Sequence, residues 1–222
     1  MKYIEQELLH LKSKVLDMWT MTESQLTKVG AALMTQDEDL AKEVIMRERI
    51  INGTELKIDS ECENIIALYA PVAIDLRFVL AMLKISNDLE RIADFCEGIA
   101  QYVLKNKGEL INRPLLQEIR LEEMIRIVSN MLSTGRMALE EESSMDAIRV
   151  FEMDDQVDQI NSDALQIIAR NIEENPETSK QGLLLYATVR RLERLGDHCT
   201  NLVEELIFYL DAKVLKHKDK AE

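Results

Sequence analysis

Between Ile4 and Met34 the apolar residues Leu8, Leu11, Val15, Met18, Leu26, Val29 and Leu33 recur at intervals of three and four, with one longer gap at MWTMT. That spacing collects them on one face of a helix, so the segment is expected to form a single long amphipathic helix. TQDED follows as a connection, with Asp37 or Asp39 placed to cap the next helix. A second helix carries Leu40, Val44, Ile58, Cys62 and Ile65 to Tyr69; Gly53 weakens it without stopping it, and Ala70 with Pro71 ends it. The third, from Val72 to Lys105, places Ile85, Leu89, Ile92, Cys96, Ile99 and Val103 on one side and Glu90, Asp94 and Glu97 roughly opposite. After KNKGELINRP, a polar stretch with Gly108 and Pro114, the pattern starts again. A fourth helix is expected from Leu115 to Leu139 with Gly135 as a weak point, a fifth from Met145 to Ile172, and a sixth, past Asn175 and Pro176, ending near Val214.

Leu89 to Cys96 reads LERIADFC and Leu192 to Cys199 reads LERLGDHC. Both acids of the motif are displaced by 103 positions (Glu90 to Glu193, Asp94 to Asp197), a period that three helices account for. With short connections implying antiparallel neighbours, the chain is expected to be all-α: two tandem up-down-up three-helix bundles related by internal duplication, residues 1–107 and 108–222. Composition agrees, because 7 Gly and 3 Pro in 222 residues interrupt few helices and 5% aromatics is a bundle-like content.

Each copy of the motif puts Glu and Asp four apart, one helical turn, where like charges repel by a few tenths of a kcal/mol. A second pair accompanies each: Asp154 and Asp158 on the fifth helix, and Glu48 with Asn52 at the equivalent place on the second. Facing pairs on antiparallel neighbours would make an oxygen-rich patch on an outer face, suited to divalent cations such as Mg²⁺, Mn²⁺, Ca²⁺ or Fe. No His joins at ligand spacing: His198 points about 100° away from Asp197, and Glu7 with His10 is a lone ExxH where a ferritin-like di-iron bundle needs two such units. Arg91 and Arg194 offer the alternative of surface salt bridges across the acids.

The net charge of −14 argues against a duplex nucleic-acid binder. No apolar run is long enough to span a bilayer and MKYIEQELLHLK lacks a signal-peptide core, so a cytoplasmic location is expected. Cys62, Cys96 and Cys199 form no CxxC pair and read as reduced, buried small hydrophobes.

The two copies of LERxxDxC, the segment APVAIDLRFV, the DDQVD stretch and the ending CTNLVEELIFYL, taken in order along the chain, resemble the PhoU family of phosphate-signalling regulators. The resemblance implies metal clusters on E(D)xxxD motifs, carried here by Glu48, Asn52, Glu90, Asp94, Asp154, Asp158, Glu193 and Asp197, with Asn52 standing where an acid is usual. If a single patch holds metal, the one around Asp197 is the expected one. The resemblance further implies Fe, Mn, Zn or Mg as the metal, no catalytic residue and no enzymatic reaction. It also implies a homodimer that contacts a sensor histidine kinase and the ATP-binding subunit of the phosphate ABC transporter. Asp75 and Arg77 match its DLR segment as structural residues orienting the third helix. Two readings of other classes stand beside it: a metal-dependent carboxylate enzyme, and a metal-free helical scaffold.

Overall fold

The computed structural model describes residues 2–106 and 112–212. Its helices are α1 (Lys2–Thr35), α2 (Glu38–Tyr69), α3 (Ala73–Lys105), α4 (Arg113–Glu118), α5 (Leu121–Glu141), α6 (Ser144–Glu174) and α7 (Ser179–Asp211), with a 3-10 turn at Pro176–Thr178. No strand occurs among the described residues. The domain boundary expected at residues 107 and 108, and the helix end expected at Val214, lie outside the described residues.

Local chemistry sets the helix ends. Asp37 is extended and its carboxylate accepts from the backbone N–H groups of Asp39 and Leu40, which satisfies two of the orphan donors of α2. Ala70 closes α2 in a left-handed conformation just before Pro71. Ser143 caps α6 by accepting from the Asp146 N–H.

The fourth helix does not form as one piece. It is divided into α4 and α5 at Ile119 and Arg120, where Arg120 takes φ 57°. A left-handed non-glycine residue costs about 1–2 kcal/mol. Two features offset it: Ile119 is buried, and the Arg120 guanidinium grips the Glu123 carboxylate through Nε and Nη2 at 2.7 and 2.9 Å. Gly135, by contrast, leaves α5 unbroken. A Cβ there would lie 2.9 Å from Cζ2 of Trp19, so the glycine lets the fully buried indole of α1 approach α5, and the Trp19 Nε1–H donates to the Leu132 carbonyl at 2.9 Å.

Helices α1, α2 and α3 pack on one another, as do α5, α6 and α7, and the two bundles join through α3 against α7 and α1 against α5. One continuous core runs through both. Leu89, Ile92 and Cys96 of α3 are buried, as are Leu192, Leu195 and Cys199 of α7, each large side chain stabilising by roughly 1.5–3 kcal/mol. All three cysteines are buried and free; burial pushes the Cys62 thiol up to about 12 and raises the other two as well.

The α3–α7 seam reproduces the sequence repeat as symmetry. Phe95 and His198, equivalent under the 103-residue shift, face each other with ring centroids 5.6 Å apart. Asp88 meets Asn201, and the equivalent pair, Arg191 and Gly98, is also in contact, the Arg191 Nε lying 2.8 Å from where a Gly98 Cβ would be. The seam is therefore self-complementary in the manner of a twofold dimer interface, within one chain.

Two glycine-to-alanine changes should move stability in opposite directions. Gly53 is mid-helix with open space around it, so Gly53→Ala is expected to add about 0.5–1 kcal/mol. Gly135→Ala drives a methyl into Trp19, at an overpacking cost of about 1–3 kcal/mol that outweighs the helix gain. Urea denaturation followed by far-ultraviolet circular dichroism measures both.

Candidate metal centres

The acids of each LERxxDxC motif lie on the side of the helix turned away from the seam. In the first half they face α2, and in the second they face α6. Carboxylate oxygens of Glu48, Asp94 and Glu97 come within 4.8 Å of one another, and so do those of Asp158, Glu193 and Asp197. The outer face expected from periodicity is in fact a groove between helices. Glu48 is only 8% exposed and the Glu193 side chain 12%, because α2 and α6 cover the flanks of α3 and α7.

Other predicted residues flank these groups. Glu90 lies close enough to Asp94, Glu55 and Glu48 for all three to disfavour its ionisation. Asn52 donates its side-chain N–H to Glu48, leaving its own carbonyl oxygen buried without a hydrogen-bond partner. Asp154 sits over Gly196, its Oδ1 being 3.3 Å from the position a Cβ would take, and so lies beside the second triad rather than in it.

Sequence reasoning put Glu97 on the acid face without counting it among the ligands, and left out Glu55 and Asp59. Glu97, one turn beyond Asp94, is a full member of the first triad, and its i+3 spacing was the available signal. Glu55 and Asp59 continue the α2 face four residues apart, with Asn87 beside Glu55, and burial, the largest cause, raises both carboxyls above their ordinary values. The salt-bridge alternative is also redrawn. Arg194 lies over the Phe95 ring, 5.2 Å from its centroid, rather than on the acids, and Arg91 approaches Glu90 and Asp94 only to 3.7 Å. Arg190 engages the second triad directly, its Nη1 donating to Glu193 Oε1 at 2.8 Å. Glu193 Oε2 is buried with no hydrogen-bond partner.

Burial is the largest cause raising Glu48, Glu90 and Glu193 above the usual carboxylate range; like charges, chiefly Glu97 for Glu48, Asp94 for Glu90 and Asp197 for Glu193, add to it. An all-oxygen donor set with mutual distances under 4.8 Å fits a divalent ion, whose oxygen ligands stand about 2.0–2.6 Å from the metal. The buried, unpartnered Glu193 Oε2 agrees with such a fit.

The sign of the pH effect follows from the raised values. A carboxyl raised in the folded state stabilises the fold fully below its unfolded pKa, near the ordinary 4.5, and that stability is lost as pH rises through the folded value. In metal-free protein, Glu48→Gln is therefore expected to stabilise at pH 7 by on the order of 0.5 kcal/mol, the scale of relieved like-charge contacts on helices. The gain should vanish at pH 4, as chemical denaturation at the two pH values would reveal.

A family model described as the PhoU domain matches residues 15–103 and again 121–206. The chain is 32% identical over 214 residues to the phosphate-specific transport system accessory protein PhoU homolog 1 of Thermotoga maritima, covering 96% of this chain and 91% of that protein. It is 32% identical over 211 residues to the Escherichia coli protein PhoU of the same description, covering 95% of this chain and 86% of the other. The crystal structure of PhoU from Pseudomonas aeruginosa superposes with a TM-score of 0.88 at 28% identity, over 94% of this chain and 99% of that one. With a tandem match that spans most of both bundles, and the repeat visible in sequence and seam alike, the chain belongs to the PhoU family.

Proposed function

We propose that this protein is a non-enzymatic regulator of phosphate uptake and phosphate-starvation signalling that loads divalent metal on its two carboxylate grooves. The observation that carries the metal part is the pair of triads, Glu48, Asp94 and Glu97 in one bundle and Asp158, Glu193 and Asp197 in the other, each with oxygens inside 4.8 Å. The regulatory part rests on family membership and on relatives described as accessory proteins of the phosphate-specific transport system. In this reading Asn52, Glu90 and Asp154 complete or steady the donor sets, and the ion is Fe, Mn, Zn or Mg. A bound ion supplies positive charge that offsets the crowded carboxylates and holds α2 to α3 and α6 to α7.

The protein acts through contacts, as a homodimer in the cytoplasm, with a sensor histidine kinase and the ATP-binding subunit of the phosphate transporter as partners. No helix among the described residues is long and apolar enough to cross a membrane, which accords with a role beside a transporter.

Two measurements test the two parts. Mn²⁺ at 100 times its dissociation constant should stabilise the fold by about 2.7 kcal/mol for each groove it fills, a rise of roughly 5–10 °C in Tm per groove for a chain of this size and about twice that when both are filled. Combined Asp94→Asn and Asp197→Asn should abolish that rise; a full response in the double variant, or none in the wild type, removes the metal part. Deleting the gene should derepress phosphate uptake and phosphatase expression in phosphate-rich medium, and unchanged levels of both would remove the regulatory part.

A further inference from the structure

The two grooves differ in what their arginines do. On the first, Arg91 is 55% exposed and stays 3.7 Å from Glu90 and Asp94, beyond hydrogen-bond reach. On the second, Arg190 makes a direct bond of 2.8 Å to Glu193, an acid that belongs to the triad itself. The guanidinium favours the ionised form of Glu193 against burial and the charges of Asp197 and Asp158. It therefore does, with a single charge, part of what a divalent ion would do there.

We propose that Arg190 is a resident counter-cation of the second groove, and that metal loading there exchanges the guanidinium for the ion. This rests on the metal reading of that groove. A guanidinium and a divalent ion on one carboxylate repel each other, and more strongly in a half-buried groove than in water. Arg190 is also free to leave: its side chain is 46% exposed, whereas that of Glu193 is 12% exposed, so the arginine swings into solvent while the acid stays. The opposite role is equally specific. An arginine that stays and orients Glu193 from outside the coordination shell would strengthen metal binding, as partners of metal ligands commonly do. The two roles predict opposite signs for one substitution.

The experiment uses the full chain with the first groove silenced by Asp94→Asn and Glu97→Gln, so that calorimetric titration with Mn²⁺ reports the second groove. Arg190→Ala is expected to tighten Mn²⁺ about three- to tenfold, and Arg190→Lys, which keeps the charge, to remain near the parent. In ¹⁵N spectra of the parent, the Arg190 Nε–H resonance should shift when diamagnetic Mg²⁺ is added and return on chelation. Circular dichroism should show Arg190→Ala folded, since a single ion pair whose arginine is 46% exposed holds little of the stability. Equal or weaker Mn²⁺ binding by Arg190→Ala, or a Nε–H resonance indifferent to Mg²⁺ that the same sample binds, overturns the exchange and leaves the metal reading standing. Absence of Mn²⁺ uptake by parent and variant alike overturns both.

Discussion

The seam between α3 and α7 constrains the rest of the molecule. One helix from each bundle crosses the partner bundle's helix about a local twofold, with Phe95 against His198 at its centre and the Asp88–Asn201 and Arg191–Gly98 contacts on either side. Each of the two helices thus has one face committed to the other half. The remaining flank of α3 packs on α1 and α2, and that of α7 on α5 and α6, which leaves each helix a narrow exposed strip, with Lys84, Asn87 and Arg91 on α3 and Arg190 and Arg194 on α7. The motif acids lie beside that strip and share a groove with a neighbouring helix. The partial burial of Glu90 and Glu193, and with it their raised pKa, follows from that crowding rather than from the motif's own spacing.

Such grooves are unfavourable in the metal-free protein. Burial penalises the ionised acids and their neighbours repel them, and this is only partly offset by the Asn52 amide and the Arg49 charge toward Glu48, by Arg190 toward Glu193, and by Arg91 at a distance. The fold bears this because its stability lies elsewhere, in a continuous apolar core that includes Trp19, Met82, Ile85 and Leu89 with no exposure. Local cost at a site that the core carries is the usual relation between stability and function.

Much of this was legible in the sequence. Periodicity located the long helices because their apolar stripes run for many turns, and the Asp37 cap and Ala70–Pro71 stop carry their own local chemistry. The break at Arg120 was not legible: LQEIRLEE has no Gly or Pro, and what holds it open is the burial of Ile119 together with the Arg120–Glu123 pair. Gly135 misled for a related reason, since its use is to admit Trp19, more than 100 residues away in sequence. At the candidate site, the spacing of Glu90 and Asp94 showed which face the acids share but not how deeply a neighbouring helix would cover it. Arg190 escaped notice because it lies outside the repeated LERxxDxC segment, and Arg194, inside it, proved to serve the seam through Phe95.

The duplication also shows what the grooves conserve between the two halves. Position by position they disagree: Asn52 stands where the second half has Asp158, and Glu97 stands where the second half has Thr200. Asn52 alone would leave the first groove one acid short. Glu97 makes up the deficit from the other helix, one turn past Asp94, and each groove ends with three carboxylates inside 4.8 Å. Thr200, relieved of that duty, is buried and donates to the Asp197 carbonyl at 2.7 Å. Each triad draws one acid from α2 or α6 and two from α3 or α7, so the supply per helix is kept while the positions differ, although every such acid adds repulsion. In the metal reading proposed above that is the expected pattern, since a site for a multiply charged cation depends on the number and nearness of the oxygens and tolerates a change in which positions carry them.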